Sequence, residues 1–471
     1  MKRAMAIIIS SVILLGLLVI FVDPMLQDAD DITIDAYVAE KENQRVFENG
    51  GIWTEDELSD FELLMSSSTD IASNFTDIEL KELCTPGAER NVSKADARQD
   101  VLTLFRLLKE AYGAYYYFGG DEVFKQAEGA VICELSSITS TGDISSIFLE
   151  DIIVRNLQSI ISDAHFVIGS TPVVTQYLPY WVPDAYFDYE IEEYSDYMEP
   201  TITPEGYIKW GFFATTADFN SLPEYITIED ETIKLNWEIM DTQGIFQEPY
   251  YSISSIAGIP VITARSFKPR AGHDGDITIF IESGVLINKN EVVILDLRGN
   301  IGGNSIYALN WIQSFVDNLS VKTCEIQRIS KPLLAYAKSP ESLYDEDYIE
   351  WFETQKNQWI SGYGNGSMSN NQSTIFVVID KNVASAAEDL VFWLQHVENV
   401  FFVGTNTQGA SICGNICIFY LPESNISIQF GTKLNLYGSL VRMDGRGFDP
   451  DLWVEPTHAI DYLVEALSKA G

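Results

Sequence analysis

The sequence has few basic side chains, only four histidines and only five cysteines. Lysine and arginine number 29 against 69 aspartate and glutamate residues, which gives a net charge of −40. This excess of negative charge argues against a nucleic-acid partner and against binding an anionic bilayer through the folded surface. With 471 residues, 46% of them hydrophobic, the chain can form two or three domains around a sizeable core.

The cysteines are too few, and odd in number, to form a disulfide framework. Cys413 and Cys417 flank a Gly-Asn pair and could form a disulfide across a tight turn in an exported protein. Their spacing is not that of a zinc site, and no histidine is near them in the sequence. The sequence therefore predicts no metal site.

An uncharged segment follows Lys2 and Arg3. Residues 4–22 contain no charged side chain and, at about 1.5 Å per residue, would span about 28 Å as a helix. Secretory signal peptides have shorter apolar regions that end in a small-x-small cleavage site, which is not found here. We expect residues 1–25 to be an uncleaved signal anchor that leaves the remainder outside the cytoplasm, with a cleaved signal peptide as the alternative.

A serine occupies the junction between a predicted strand and a predicted helix. Residues 374–380 are apolar and β-branched, as in a buried parallel strand, and residues 386–396 have helical spacing. Ser385 would present its hydroxyl beside free backbone N–H groups that could stabilise an oxyanion. Ser385 and Glu388 also form a capping-box pattern, which is a purely structural device. The local sequence alone leaves both interpretations open.

A second predicted strand, residues 292–297, ends in a turn that contains Gly302 and Gly303. Paired glycines can adopt positive φ angles and direct N–H groups at a ligand without an intervening Cβ atom. An ordinary strand-to-helix turn has a similar composition, so the pair by itself is a weak signal.

Together these segments resemble the S41 family of serine peptidases, which includes tail-specific and tricorn-core-like proteases. The family has a D-L-R-x-N-x-G-G turn, then A-S-A-x-E and G-x-x-T-x-G segments, which correspond to residues 296–303, 384–388 and 404–409. The resemblance covers residues 95–170 and 256–460. It implies an α/β fold with a catalytic core of the ClpP/crotonase-like type.

The same resemblance assigns roles at the site. Ser385 would be the nucleophile, and the oxyanion-hole donors would be the backbone N–H groups of Ala386 and of Gly302 or Gly303. The lysine base of tail-specific members would follow the T-x-G element, but that position is Ala410 here. A serine without a base is a poor nucleophile at neutral pH, so another base is required.

The tricorn-like branch of the family uses a histidine base, which directs attention to His165. His165 follows predicted helices in the element Ser-Asp-Ala-His. His396 would lie roughly 16 Å along the helix from Ser385, which is too far for a hydrogen bond. His458 stands at the start of a C-terminal helix and His273 in a polar turn. We therefore expect His165 to be the general base.

A third residue would orient the imidazole. The family has an E-G-x-G-x-x-P-D element, and residues 444–451 match it with Asp444 in place of the glutamate. The aspartate is one methylene shorter, and an aspartate before a glycine is also common in turns. Arg298 is expected to brace its turn rather than to contact substrate.

The sequence thus predicts a membrane-anchored, extracytoplasmic serine endopeptidase that cleaves polypeptides without a cofactor. The alternative is an inactive protein of the same fold that binds peptides or apolar ligands. A structural ectodomain is a third interpretation. The predicted parts are a signal anchor (1–25), an acidic juxtamembrane region (26–92), a helical cap that ends at the His165 element (93–170), a small β-rich domain (171–255) and the S41-like catalytic core (256–471).

Overall fold

The computed structural model describes residues 32–48, 53–55, 59–60, 62, 73–139, 142–228, 231–240, 249–269, 275–342, 344–437 and 444–469. The predicted anchor in residues 1–25 and His273 lie outside these ranges. Within them, no helix has both the length and the apolar character needed to cross a bilayer.

The described residues form a mixed α/β fold. Three short 3₁₀ helices cover Glu192–Tyr197, Phe219–Ser221 and Gly284–Lys289. The α-helices are α1 (Ile34–Glu48), α2 (Asp77–Leu83), α3 (Lys94–Ala111), α4 (Gly120–Ser137), α5 (Ser146–Leu157), α6 (Asp276–Ser283), α7 (Ser305–Gln313), α8 (Lys331–Ala337), α9 (Glu346–Thr354), α10 (Ala386–Leu394) and α11 (Ala459–Lys469).

The strands are β1 (Val167–Ile168), β2 (Thr171–Pro172), β3 (Leu178–Phe187), β4 (Met198–Ile202), β5 (Ile208–Thr216), β6 (Tyr225–Ile228), β7 (Glu231–Lys234), β8 (Glu238–Ile239), β9 (Tyr251–Ile256), β10 (Ile259–Ala264), β11 (Val292–Asp296), β12 (Thr323–Arg328), β13 (Trp359–Gly364), β14 (Thr374–Ile379), β15 (Val400–Gly404), β16 (Cys413–Tyr420), β17 (Ser427–Tyr437) and β18 (Leu452–Trp453).

The larger sheet has the strand order β8-β3-β5-β4-β18-β15-β14-β11-β10-β9. From β10 to β4 neighbouring strands are parallel, and the outer pairs are antiparallel. Both faces of the centre are covered, because Ile375 and Val377 pack into the core that includes α6, α7 and α10, whereas Phe376 packs with α1 and α11 on the other face. Burial on both faces explains the uninterrupted apolar runs of these strands.

The smaller sheet has the order β13-β12-β17-β1-β2, with β16 paired to β17. Its inner face packs against α3, α4, α5 and α8 in the largest hydrophobic cluster. Helix α3 begins where the Ser93 hydroxyl accepts a hydrogen bond from the Asp96 N–H. The predicted helical segment that precedes His165 is therefore present as α3, α4 and α5.

The residues predicted as a small β-rich domain are largely strands, but five of these strands, β3, β4, β5, β8 and β9, belong to the larger sheet. Strand β4 pairs in parallel with β18, so β3, β5 and β8 extend the sheet that contains β11 and β14. The boundary predicted near residue 255 therefore crosses a continuous sheet.

The disulfide that the sequence allowed between Cys413 and Cys417 does not form. Both are free and buried, and both lie on β16, which runs without a turn between them. Residues four apart on a strand are separated by about 13 Å, far beyond the reach of a disulfide.

Candidate active site

Parallel strands bring the three motif segments to one edge of the larger sheet. The glycine turn follows β11, the serine segment follows β14 and residues 405–409 follow β15. Adjacent parallel strands have their carboxyl ends at the same edge, which is where open α/β sheets bind their ligands. The Ala384 N–H donates to the Asn300 carbonyl at 3.0 Å, so the serine segment is fixed directly to the glycine turn.

Ser385 has an unusual backbone conformation for a residue that precedes a helix. Its φ and ψ angles are 55° and −125°, in a region that residues with a Cβ atom rarely occupy. The side chain is half-buried, whereas its neighbours Ala384 and Ala386 are buried. The chain therefore turns sharply at Ser385 and leaves the serine accessible.

Gly302 packs against this turn so closely that no side chain fits. It has a φ of 92°, and a Cβ atom built on it would lie 2.9 Å from both the Ser385 Cβ and the Ala386 nitrogen. Its N–H donates to the Asn300 Oδ1 at 2.9 Å. The N–H of Gly303 makes no hydrogen bond within the described part of the chain, so of the two glycines Gly303 has the available donor.

Glu388 joins the serine segment to residues 405–410. One carboxylate oxygen accepts from the Ser385 N–H at 3.2 Å and from the Ala410 N–H at 2.6 Å. The other accepts from the Gly409 N–H at 2.8 Å and from the Thr407 hydroxyl at 2.5 Å. Burial raises the pKa of Glu388, while these donors favour its ionised form. Ala410, where tail-specific relatives have lysine, thus contributes only backbone here.

His165 is buried, and its Nδ1 atom has no hydrogen-bond partner among the described residues. The carboxylate near this atom belongs to Asp163, with Oδ1 4.0 Å from Nδ1. Asp163 is fully buried and accepts hydrogen bonds from the His165 N–H at 2.9 Å and from the Tyr112 hydroxyl at 3.0 Å. The His165 backbone is therefore anchored at its N–H, and its carbonyl accepts a hydrogen bond from the Gln429 side chain at 3.3 Å.

Asp444 does not contact the imidazole Nδ1 atom, contrary to its predicted role as orienting residue. Its carboxylate accepts from the backbone N–H groups of Ala164 at 3.1 Å, Ser411 at 3.1 Å and Ile412 at 2.8 Å. Burial and then the nearby Asp163 raise the pKa of Asp444 well above its usual value. Through these backbone hydrogen bonds, Asp444 links the segment that carries His165 to residues 411–412, which directly follow the residues that Glu388 binds.

Lys381 was not singled out by the sequence, but it lies at the centre of the site's loops. Its Nζ atom donates to the carbonyl oxygens of Thr407 at 3.1 Å, Gln408 at 3.0 Å and Gly445 at 3.0 Å, with the Arg446 carbonyl at 3.5 Å. Burial lowers the pKa of Lys381 to about 8. All four partners are acceptors, so the side chain serves as a hydrogen-bond donor to these loops.

The other described histidines are elsewhere. His396 is buried with Nδ1 3.1 Å from the Phe392 carbonyl, and His458 stacks on Tyr462.

Arg298 braces its turn as expected, because its guanidinium binds Asp296. Burial raises the pKa of Asp296, but Arg298 and Arg265 outweigh this effect and lower it to about 2.

Several solved structures of peptidases resemble the chain at low sequence identity. Mature CPAF complexed with lactacystin is 13% identical and matches over 80% of this chain and 97% of that chain, with a TM-score of 0.43. A putative peptidase from Parabacteroides merdae ATCC 43184 is 15% identical over 81% and 96%, with a TM-score of 0.43. The photosystem II D1 C-terminal processing protease is 12% identical over 77% and 93%, with a TM-score of 0.36. No curated protein matches the chain.

The model of peptidase family S41 matches residues 262–454. These residues extend from β10 to the segment after β18 and include the glycine turn, Ser385 and Asp444. Over this region the chain is similar to peptidase family S41, and this similarity indicates a serine-type peptidase.

Proposed function

We propose that the protein is an endopeptidase that hydrolyses polypeptides through an acyl-enzyme, with Ser385 as nucleophile and His165 as general base. The observation that carries this proposal is the backbone of Ser385. The serine caps Ser93 and Ser145 are extended, with φ and ψ of −64° and 162° and of −69° and 147°, against 55° and −125° at Ser385. A strained angle of this kind costs about 1–3 kcal/mol and gives no advantage to a cap.

The groups assigned to the site match the steps of acyl transfer. As the Ser385 oxygen attacks the peptide carbonyl, its proton passes to His165, which then donates it to the leaving amine. The N–H groups of Ala386 and Gly303 stabilise the oxyanion, since neither is engaged by another part of the described chain. Water then attacks the acyl-enzyme, with His165 again accepting the proton.

Asp163, rather than Asp444, orients the imidazole in this proposal. Asp163 Oδ1 lies 4.0 Å from Nδ1 in the free site, and a small rotation of the ring closes this distance to a hydrogen bond, as catalytic contacts often tighten when substrate binds. Asp444 holds the backbone at Ala164 and so positions the whole His165 segment.

We also propose that residues 1–25 anchor the protein in a membrane and that the catalytic residues act outside the cytoplasm. The support is the uncharged segment 4–22 after Lys2 and Arg3. A protein that stays with membranes after an alkaline carbonate wash and is digested by protease added to intact cells agrees with this location. Recovery from the medium with a new N-terminus near residue 25 contradicts the anchor.

Hydrolysis of an unfolded protein tests the nucleophile. Ser385→Ala is expected to abolish cleavage, whereas Ser411→Ala is expected to retain it. Ser411 is a matched control because it is also a serine of the site and directly follows Ala410, whose N–H donates to the Glu388 carboxylate. Its buried hydroxyl has no hydrogen-bond partner among the described residues. Full activity of Ser385→Ala contradicts the proposal.

A further inference from the structure

A cavity of about 720 Å³ opens beside the serine segment. Asp389, which lines it, is one helical turn after Ser385, and its N–H donates to the Ser385 carbonyl at 3.0 Å. Ser305, which also lines the cavity, follows Gly303 by two residues and donates its hydroxyl to Asp389 at 2.5 Å. The cavity therefore begins directly next to the two segments that supply the nucleophile and the oxyanion donors.

The charged groups of the cavity are mostly acidic. Asp317, Glu325 and Asp389 line it, and Lys433 is the one basic residue among the described lining residues. The Lys433 ammonium is already paired with Glu325 at 2.8 Å. Three carboxylates against one ammonium leave an excess of two negative charges. This excess favours a cationic ligand and disfavours an acidic one.

The remaining walls suit the other parts of a long basic side chain. Leu309, Leu319 and Trp393 form an apolar surface against which a methylene stem can pack while its charged end remains among polar groups. Asn435 also lines the cavity, and its buried Oδ1 atom has no hydrogen-bond partner in the part of the chain that the structure describes. A buried acceptor without a donor is costly, and an ammonium or guanidinium group supplies donors.

We propose that this cavity receives a lysine or arginine side chain of the substrate, next to the peptide bond that is cleaved. The proposal rests on the proposed function, since the cavity is assigned by its contact with the Ser385 and Gly303 segments. It adds a preference for basic residues to the endopeptidase activity.

The test has two steps. A peptide library is digested with the full-length enzyme, and the residues that flank each cleavage are identified by mass spectrometry. We expect lysine and arginine to be enriched at one fixed position beside the cleaved bond. Peptides that differ only there, with lysine, arginine, norleucine or glutamate, then give the ratio of kcat/KM for each pair.

The double variant Asp317→Asn, Glu325→Gln is expected to lower the ratio of kcat/KM for lysine over norleucine about tenfold. Glu353→Gln is the matched control, because Glu353 is also a partly exposed glutamate paired with a lysine, Lys338, but it lies outside the cavity. It is expected to leave the ratio unchanged.

Cleavage without basic enrichment, or an unchanged ratio in the double variant, contradicts the cavity assignment while leaving the peptidase activity intact. Absence of any cleavage, together with absence of fluorophosphonate labelling at Ser385, contradicts the proposed function itself and the cavity assignment with it.

Discussion

Glu388 accepts a hydrogen bond from the Ser385 N–H at 3.2 Å, as in the capping-box pattern that the sequence predicts. The same carboxylate binds the N–H groups of Gly409 and Ala410. The structural and catalytic interpretations of this segment are therefore compatible. Glu388 fixes the conformation of the turn, and that conformation exposes the serine.

Substitutions at His165, Asp163 and Asp444 distinguish the general base from the residues that orient or position it. His165→Ala is expected to lower kcat/KM by several orders of magnitude, because the Ser385 hydroxyl loses its base. Asp163→Asn is expected to lower kcat by at least about a hundredfold, and Asp444→Asn by less, since Asp444 acts through the Ala164 backbone. Kinetics on a peptide substrate give these values. Full activity of Asp163→Asn alongside a large loss in Asp444→Asn would restore Asp444 as the orienting residue.

A methyl group at Gly302 is expected to disrupt catalysis. The new Cβ atom would lie 2.6 Å from the Ala384 carbonyl oxygen and 2.9 Å from the Ser385 Cβ, at a φ angle of 92°. The turn must shift, and we expect Gly302→Ala to lower kcat by about a hundredfold or more. Gly258→Ala is the control, because Gly258 also has a positive φ, of 87°, but no described atom lies within 4 Å of the position that its new methyl group would occupy. Equal activity of the two variants would contradict the oxyanion assignment.

Lys381→Met tests whether this lysine positions the loops or acts as a base. Methionine has similar length but no donors, so the Gln408 carbonyl loses its described partner, at about 1–3 kcal/mol for the unsatisfied group. The Thr407 and Gly445 carbonyls each lose one of two donors. We expect a lower melting temperature and a loss of kcat of about tenfold to a hundredfold. Lys331→Met, which removes a donor to the Phe75 carbonyl far from the site, is the control. A loss as large as that of His165→Ala, with an unchanged melting temperature, would identify Lys381 as the base.

Stability is expected to decrease from pH 4.5 to pH 7 because of Glu199. Burial, and then repulsion from Asp449, raises the pKa of Glu199 to about 7 from 4.5. A carboxyl group with a raised folded-state pKa contributes stability below its unfolded pKa and loses it as the pH rises through the folded value. Glu199→Gln should therefore melt higher than the wild type at pH 8 and differ less at pH 4.5. The exposed Glu231→Gln is the control, and the same pH dependence in wild type and Glu199→Gln would contradict this explanation.

The parallel strands were predictable because both of their faces are buried. Strand β14, Thr374–Ile379, falls within the apolar segment 374–380 that was predicted as a strand, since an uninterrupted apolar run has few alternatives. Strand β13 has no such apolar run, because it is an edge strand whose residues are all at least partly exposed. Strand β17 was overlooked, although Ile428, Phe430, Leu434 and Leu436 alternate with partly exposed residues and indicate a half-buried strand.

The candidate site was predictable only where residues form a local motif. Ser385 and the glycine turn have recognisable neighbours, and Asp163 stands two residues before His165, where it could have been considered as the orienting group. Lys381 has no such signal. Its partners are 26 to 65 residues away in sequence and are all backbone carbonyls, which no side-chain pattern records.

Labelling with a fluorophosphonate tests the central claim most directly, because this reagent reacts with an activated serine. After digestion and mass spectrometry, we predict the adduct on Ser385, its absence in Ser385→Ala, and a rate at least about a hundredfold lower in His165→Ala. A melting curve for each variant confirms that it is folded. An adduct on another serine, or equal labelling rates in wild type and His165→Ala, would contradict the assignment of Ser385 and His165 as nucleophile and base.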